Sequence, residues 1–363
     1  MTRLKPRASR QPRRRPAAAA ARARRGMLDV TVVLIPHGYA SEAIAPAEIF
    51  TSAGVLWQAL SGHAPEPRFR VRIASVDGAA VLSSCGLRLV PECAIEDVEQ
   101  TDLIVLSASG LNIQEQIARS TGLLPWLRGW HARGACIAAV CTGAAFLAES
   151  GLLDGRQATT HWALAETLRR QYPQVLWRPE QFVTEDNRLF CSGGVYSSVD
   201  LSLYLVEKFC GREVALQCSK AMLLSMPRHS QTGYALLPLS PPHADDKVRE
   251  AEAYLQERFR RAVSIDQLAS AVGMSPRNLM RRFKAATGRV PGDYVQTLRV
   301  AAARELLERG GGLSVQEVCS KVGYEDVAFF RQLFKRHTGL SPLEYRSRFA
   351  GMSVAREGRD AGQ

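Results

Sequence analysis

The chain has 363 residues, of which 46% are hydrophobic and 23% are charged, and its formal net charge at pH 7 is +12. This length suggests two or three domains, and the apolar content is sufficient to bury a core in each. No apolar run is long enough to cross a bilayer, so the sequence argues against an integral membrane protein.

The distribution of charged residues and the spacing of the cysteines narrow the class of protein further. Residues 1–26 carry ten Arg or Lys and no acid, residues 27–243 carry 16 basic and 20 acidic residues, and residues 244–363 carry 21 and 15. An acidic middle followed by a basic C-terminal part suits a sensor joined to a DNA-binding domain. The eight cysteines form no C-x-x-C pair, which argues against a disulfide scaffold or a zinc module. We therefore expect a cytoplasmic protein with no metal or other cofactor.

The first 26 residues consist mainly of Arg, Ala and Pro. This composition cannot bury a core and predicts a disordered tail. The tail could bind DNA non-specifically or be dispensable, and Met27 is an alternative first residue. A second disordered tail is expected over residues 351–363.

From residue 27 onward, strand and helix patterns alternate. Apolar or β-branched runs predict buried strands at residues 30–35, 68–76, 103–106 and 137–140, with further short strands up to 160 and between 175 and 191. Helical patterns lie at residues 47–53, 123–133, 142–149 and 164–171, and again after 199. The alternation predicts an α/β domain over residues 27–235, an open and mostly parallel sheet with helices on both faces. Prolines 238, 241 and 242 mark an interdomain linker at residues 236–244.

Cys141 stands at the end of a buried strand and directly before a helix. Gly143 and Ala144 follow it where the chain must turn sharply, which is the layout of a nucleophile elbow. The dipole of the following helix favours a thiolate at this position. A cysteine at the end of a core strand is nevertheless more often inert packing, so the residues alone leave both interpretations open.

Residues 263–349 contain one pattern twice. The segment IDQLASAVGMSPRNLMRRFKAATGRVPGDY recurs as VQEVCSKVGYEDVAFFRQLFKRHTGLSPLEY, with matching residues 50 or 51 positions apart. Each copy has apolar residues at i, i+3, i+4 and i+7, then a glycine, then a second helical run, and this predicts two helix-turn-helix units. Between the copies, residues 291–309 predict a helix about 28 Å long, which the glycines at 310–312 end.

The second helix of each copy has an apolar face and a polar or basic face. Arg can bond guanine edges and Gln adenine edges, while Lys mostly contacts phosphate, so the polar faces are suited to DNA. For a single helix a solvated basic face would be an equal alternative, but two helices in matched register favour DNA binding. Their spacing would let them enter major grooves one turn, about 34 Å, apart. The predicted DNA-binding residues are Ser275, Arg277, Asn278, Arg281 and Lys284 in the first copy and Ala328, Arg331, Gln332, Lys335 and Arg336 in the second.

Two resemblances follow from these residues. Residues 245–350 resemble the DNA-binding domain of AraC/XylS-type transcription regulators, through VGMSPRNLMRRFKAATGRVPGDY and VGYEDVAFFRQLFKRHTGLSPLEYR. Residues 28–230 resemble the PfpI-like class I glutamine amidotransferase superfamily, whose Glu, Cys and His match Glu42 in SEAIAP, Cys141 in VCTG and His161 in TTHW. In that superfamily a glycine loop can form an oxyanion site. This chain departs from the pattern, because Ser107, Ala108, Ser109 and Gly110 stand where a paired glycine is usual.

Together the two halves resemble GlxA-type AraC regulators, whose front domain senses small metabolites without processing them. The resemblance implies a regulator that is not an enzyme and that binds an amino-acid-like or quaternary amine effector and double-stranded promoter DNA. RNA polymerase and a second copy of the chain are further expected partners. The alternative is a cysteine-dependent hydrolase or lyase of the PfpI-like superfamily fused to a DNA-binding module. The expected effector pocket comprises Glu42, Ser109, Gly110, Cys141, Thr142 and His161.

Overall fold

A computed structural model describes residues 26–225, 231, 234, 243–309 and 312–350. The chain divides into two compact units between residues 229 and 230. The predictions for the two tails, for most of the linker and for Gly310 and Gly311 lie outside the described residues. Across the described ranges, no helix is long and apolar enough to span a membrane.

The first unit is built on a seven-stranded sheet. Its strands and those of two small sheets are β1 (Leu28–Leu34), β2 (Phe69–Ser75), β3 (Val81–Leu82), β4 (Arg88–Leu89), β5 (Cys93–Ala94), β6 (Leu103–Leu106), β7 (Cys136–Val140), β8 (Gln157–Ala158), β9 (Leu176–Trp177), β10 (Val183–Asp186) and β11 (Leu189–Ser192). The large sheet has the order β10-β11-β7-β6-β1-β2-β5. All its pairings are parallel except that of β10 with β11. The central strands β6 and β7 are buried along their whole length, as expected for parallel strands covered on both faces.

Helices cover both faces of this sheet. They are α1 (Ser41–Ser52), α2 (Leu56–Leu60), α3 (Ile113–Arg119), α4 (Leu123–Ala132), α5 (Gly143–Glu149), α6 (Ala165–Gln171), α7 (Ser197–Cys210) and α8 (Arg212–Ala221). One apolar core lies between the sheet and α3 to α6, and a second lies between the sheet and α1, α7 and α8. The predicted fold class is therefore confirmed.

The observed elements differ from the prediction in several places, and the short strands β3, β4 and β5 were not predicted. Helix α1 begins at Ser41, six residues before the predicted start, because Pro46 is accommodated inside the helix and does not end it. Helices α2 and α3 are too short to show a clear helical period in the sequence, and neither was predicted. The predicted pair of strands between residues 175 and 191 is three strands, of which the first, β9, pairs with β8 in a separate sheet.

The second unit is all-helical over its described residues. Its helices are α9 (Asp246–Arg258), α10 (Ile265–Ala271), α11 (Pro276–Thr287), α12 (Pro291–Glu308), α13 (Val315–Lys321), α14 (Val327–Thr338) and α15 (Pro342–Phe349). Tyr294 and Leu298 in the first half of α12 pack into a core with α9, α10 and α11. Val300, Ala303 and Leu307 in its second half pack into another core with α13, α14 and α15. One long helix thus joins two similar helical modules, as predicted.

The turn inside each module has a backbone conformation that favours glycine. Gly273 and Gly323 have φ of 65° and 90°, the left-handed region that glycine adopts without strain. At Gly323 a side chain is also excluded sterically, because an added Cβ would lie 2.3 Å from the carbonyl oxygen of Arg260. Ser264 and Ser314 begin the preceding helices with matching capping boxes. The duplication is therefore structural as well as sequential.

Candidate ligand site and nucleic-acid interface

Cys141 forms a sharp turn between β7 and α5. Its φ is 54°, a left-handed conformation that costs energy in a residue other than glycine and that is often found at functional sites. The backbone is held on both sides, since its N–H donates to the Ser192 carbonyl oxygen at 3.1 Å and the Thr160 hydroxyl donates to its own carbonyl oxygen at 3.0 Å. At Gly143, an added Cβ would lie 3.1 Å from the carbonyl oxygens of Leu106 and Ser107. The elbow layout expected from the sequence is present.

The Cys141 thiol is buried, with 6% of the residue exposed. Burial, and to a smaller extent the neighbouring Glu42, raises the pKa of this thiol to about 12, although backbone hydrogen bonds from Thr142 and His161 act in the opposite direction. The helix dipole was expected to favour a thiolate here, but desolvation outweighs it. The thiol is therefore protonated at neutral pH and is a poor nucleophile.

Glu42 lies in the first turn of α1 and is completely buried. Its Oε2 accepts a hydrogen bond from the Ala108 backbone N–H at 3.0 Å, whereas its Oε1 has no hydrogen-bond partner in the described part of the chain. Burial raises the pKa of this carboxyl group to about 8, although the hydrogen bond from Ala108 and the nearby Tyr39 backbone lower it. Glu42 is therefore mostly a neutral carboxylic acid at pH 7, next to a neutral thiol.

The loop after β6 uses its N–H groups within the protein. The Ser109 N–H donates to the Thr142 hydroxyl oxygen at 2.8 Å, and the Ser109 hydroxyl lies 3.3 Å from the same oxygen. The preceding N–H, at Ala108, is bonded to Glu42. Two consecutive donors that could otherwise face a substrate oxygen are already engaged. An oxyanion site at this loop would need one of these side chains to move.

This loop packs closely against the loop after β1. An added Cβ at Gly38 would lie 2.0 Å from the Ala108 carbonyl oxygen, and one at Gly110 would lie 2.6 Å from the His37 carbonyl oxygen. Gly110 also has a left-handed φ of 66°. Both glycines therefore allow two backbone segments to touch, and this contact places Glu42 beside the Cys141 turn.

His161 is engaged through its ring and its backbone. Its Nδ1 accepts the Ala163 N–H at 3.1 Å, so a neutral ring carries its proton on Nε2. Burial lowers the pKa of this imidazole, which favours the neutral form. The ring lies against Gly194, where an added Cβ would be 2.8 Å from Cδ2. His161 bonds the Cys141 thiol through its backbone, and its Nδ1 is not free to act as a base.

The structure thus brings Glu42, Ser109, Cys141 and Thr142 together, with His161 at their edge. Gly110 belongs to the adjoining loop contact. The predicted pocket left out three contributors, Gly38, Ala108 and Thr160, because their contacts join segments far apart in the chain. Two of them carried a signal, Ala108 as part of the loop at the paired-glycine position and Thr160 as the residue before His161 in TTHW. Throughout the described ranges, no group of His, Cys, Asp or Glu could hold a metal ion.

The predicted DNA-binding residues of the first module lie on or beside α11. Ser275, Arg277, Arg281 and Lys284 are exposed, and Asn278 is half-buried. Ser275 is the N-cap, since its hydroxyl accepts the Asn278 N–H. The Asn278 Oδ1 in turn accepts from the Arg281 guanidinium at 3.0 Å. The apolar side of the same helix, including Leu279 and Phe283, is buried.

In the second module, α14 has the same arrangement. Phe330, Leu333 and Phe334 are buried, and the predicted residues Ala328, Arg331, Gln332, Lys335 and Arg336 are all exposed. The Arg336 guanidinium bonds Gln296 on α12 at 3.1 Å. Phe329, which sequence reasoning did not select, is also 46% exposed in the first turn. Each module therefore presents one polar helix face to solvent.

An α/β domain with a buried carboxyl and thiol pair, followed by two helix-turn-helix modules, defines a class of DNA-binding regulators. Residues 30–208 match the model of the DJ-1/PfpI family, and residues 268–348 match the model of a helix-turn-helix domain. The chain belongs to the AraC-family transcription regulators that carry an N-terminal DJ-1/PfpI domain.

Individual relatives support this placement. The transcriptional regulator GbdR of Pseudomonas aeruginosa is 28% identical over 280 residues, covering 77% of this chain and 75% of GbdR. The regulator GlxA of Rhizobium meliloti is 26% identical over 288 residues, covering 78% of this chain and 87% of GlxA. The first unit is also similar to an enzyme, the isonitrile hydratase of Pseudomonas putida, at 32% identity over 151 residues, or 41% of this chain and 63% of the hydratase.

Proposed function

We propose that the first unit senses a small metabolite, amino-acid-like or a quaternary amine, and that its occupancy controls how the second unit binds promoter DNA. The proposed pocket comprises Glu42, Ser109, Gly110, Cys141, Thr142 and His161. The observation that carries the proposal is the Glu42 Oε1 atom, which is buried without a partner among the described residues. An unsatisfied buried carboxyl oxygen costs free energy, so a ligand that accepts the Glu42 proton in a hydrogen bond, or a cation that lowers the pKa of Glu42 and binds its carboxylate, would bind favourably.

The electrostatics of the site support sensing over catalysis. The pKa of the Cys141 thiol, raised to about 12, leaves almost no thiolate at neutral pH. The N–H groups of Ala108 and Ser109 are bonded to Glu42 and Thr142. Neither an activated nucleophile nor an open oxyanion site is present in this arrangement. We therefore propose that the domain is not an enzyme.

A second candidate function rests on the left-handed Cys141 turn and on the similarity to a hydratase. In this alternative the first unit is a cysteine-dependent hydrolase or lyase whose turnover is coupled to DNA binding. It requires Cys141 to ionise on substrate binding.

In the proposed mechanism the effector favours one of two relative placements of the DNA-binding domains in a dimer. Such coupling requires that the effector bind the two arrangements with different affinity. We further propose a homodimer that acts in the cytoplasm and contacts RNA polymerase. The family of transcription regulators to which the chain belongs supports these partners.

Effector binding should raise the thermal stability of the chain, and this response should survive the loss of the thiol. A ligand at 100 times its Kd stabilises the folded state by about 2.7 kcal/mol, so a screen of amino acids and betaine-like compounds should give at least one clear shift of Tm. Cys141→Ser is expected to keep that shift and the inducer response in cells. Exposed Cys85 provides a matched control, Cys85→Ser. A folded Cys141→Ser protein that has lost the response would instead support thiol chemistry.

The exposed faces of α11 and α14 should separate base recognition from phosphate binding. Arg277→Ala and Gln332→Ala are expected to relax preference at one base position each, by about 1–3 kcal/mol. Lys284→Ala should weaken binding to every sequence and lower the slope of log affinity against log salt by about 1. Mobility shifts at fixed salt measure both effects, with Lys247→Ala as a control for the same charge change on α9. If all three variants bind like the wild type, these faces do not contact DNA.

A further inference from the structure

Helices α11 and α14, the two helices proposed to face the DNA bases and called the base-facing helices below, have the same backbone design. Each begins at a capping side chain, Ser275 or Asp326, and ends at a glycine whose φ is 74° or 75°. A threonine in the last turn donates its hydroxyl to a carbonyl oxygen four residues earlier, at 2.7 Å in α11 and 2.8 Å in α14. Because the two helices begin and end in the same way, the side chains on their exposed faces can be compared position by position.

That comparison shows one position that is the same in both copies, three near the start of the helix that differ in chemistry, and two flanking positions, Met280 with Arg331 and Ala285 with Arg336, where only the second copy has an arginine. The lysine suited to phosphate is kept in both copies. The three residues near the start of each helix change from two guanidinium groups and an amide to two apolar groups and an amide. The pairs are Lys284 with Lys335, Arg277 with Ala328, Asn278 with Phe329 and Arg281 with Gln332. The lysine suited to phosphate is thus present in both helices, while the residues near the start of each helix differ in chemistry.

Phe329 is the least expected of these side chains. It is 46% exposed although its helix has a complete apolar core beneath it. Its ring is held in place, with its centroid 5.7 Å from that of Tyr324, and the Arg299 guanidinium lies 4.7 Å from the Tyr324 centroid. Asp326 accepts its N–H, which fixes it in the first turn of α14. The first turn of a recognition helix is the part that reaches base edges in the major groove.

Taking the proposed DNA binding as given, we propose that the second module recognises thymine methyl groups through Phe329 and Ala328, beside an adenine bonded by Gln332. The C5 methyl of thymine is the apolar group that the major groove exposes, and apolar side chains contact it there. In the first module, Arg277 and Arg281 match guanine. The two half-sites therefore differ in composition, with guanine in the first and A·T pairs in the second.

The test removes the methyl group alone. A binding site is selected from random duplexes with the full chain, and each thymine is then replaced by deoxyuridine at fixed salt. The wild type is expected to lose about 4-fold in affinity for each methyl that it buries, at one or two thymines of the second half-site. Phe329→Ala should show the loss on the thymine duplex and no further loss with deoxyuridine at the thymine that Phe329 contacts, whereas a thymine contacted by Ala328 should stay sensitive. Phe329→Leu should keep part of the sensitivity.

Leu343→Ala is the matched control, because Leu343 is 60% exposed on α15, outside both base-facing helices. It should leave the deoxyuridine profile unchanged. A wild type insensitive to deoxyuridine throughout the second half-site, or a Phe329→Ala protein as sensitive as the wild type, would overturn this inference while leaving DNA binding intact. Selection that enriches no sequence at all would instead overturn the proposed function.

Discussion

Glu42→Gln is expected to stabilise the first unit at neutral and alkaline pH, with a gain that disappears as the pH falls to about 4.5. Burial raises the pKa of Glu42 from 4.5 to about 8 in the folded state. Between these values the folded protein holds a proton that the unfolded chain releases, so stability falls as pH rises, by about 1.4 kcal/mol per unit. From pH 4.5 to pH 7 this amounts to roughly 3 kcal/mol. Glutamine is neutral at every pH and can still accept the Ala108 N–H.

Tryptophan fluorescence during denaturant unfolding measures this effect in the intact protein. All five tryptophans, at 57, 126, 130, 162 and 177, belong to the first unit. Glu48→Gln is the matched control, since Glu48 is exposed on the same helix α1. The free energy of unfolding of Glu42→Gln minus that of the wild type should grow from pH 5 to pH 8, whereas Glu48→Gln should show no such trend. Equal trends in both variants would mean that Glu42 is ionised in the folded protein.

Gly38→Ala is expected to destabilise the first unit and to disrupt the pocket. The added Cβ would lie 2.0 Å from the Ala108 carbonyl oxygen, a backbone atom that cannot rotate away. The Ala108 N–H is bonded to Glu42 and the next N–H to Thr142, so separating the two loops also strains both hydrogen bonds. Overpacking of this kind costs about 3 kcal/mol.

The same fluorescence measurement tests this substitution. Gly129→Ala is the control, because Gly129 lies inside α4 and an added Cβ there meets no atom within 4 Å. That change should stabilise the protein by about 0.5–1 kcal/mol through helix propensity. The predicted order of stability is Gly129→Ala, wild type, Gly38→Ala. A Gly38→Ala protein as stable as the wild type would show that the two loops do not touch.

The fold class could be predicted because it depends on patterns that are local in the chain. The predicted strand at residues 103–106 coincides with β6, and the repeated segments of residues 263–349 form two matching modules. Short elements such as α2 and α3 were missed because five or seven residues show too little periodicity. The predicted helix began at residue 47, directly after Pro46, whereas α1 begins at Ser41 and contains that proline, a residue that often marks a helix boundary.

The chemistry of the candidate pocket could be predicted only in part. The turn at Cys141 follows from neighbouring residues, but the pKa of its thiol depends on burial and on Glu42, 99 positions earlier. The bonds from Ala108 to Glu42 and from Ser109 to Thr142 join segments 66 and 33 residues apart. No local pattern encodes such contacts. Phe329 was missed for a different reason. It lies between the apolar and polar faces of α14, and an aromatic residue there was not expected to be exposed.

The central claim is that both modules of one chain recognise DNA sequence. Selection of binding sites from a random duplex library by the full chain tests it most directly, with the double variant Arg277→Ala, Gln332→Ala in parallel. We expect the wild type to enrich a bipartite site whose halves are about 10 base pairs apart, and the double variant to lose preference in both halves. Enrichment of no sequence, or of the same site by both proteins, would contradict the account.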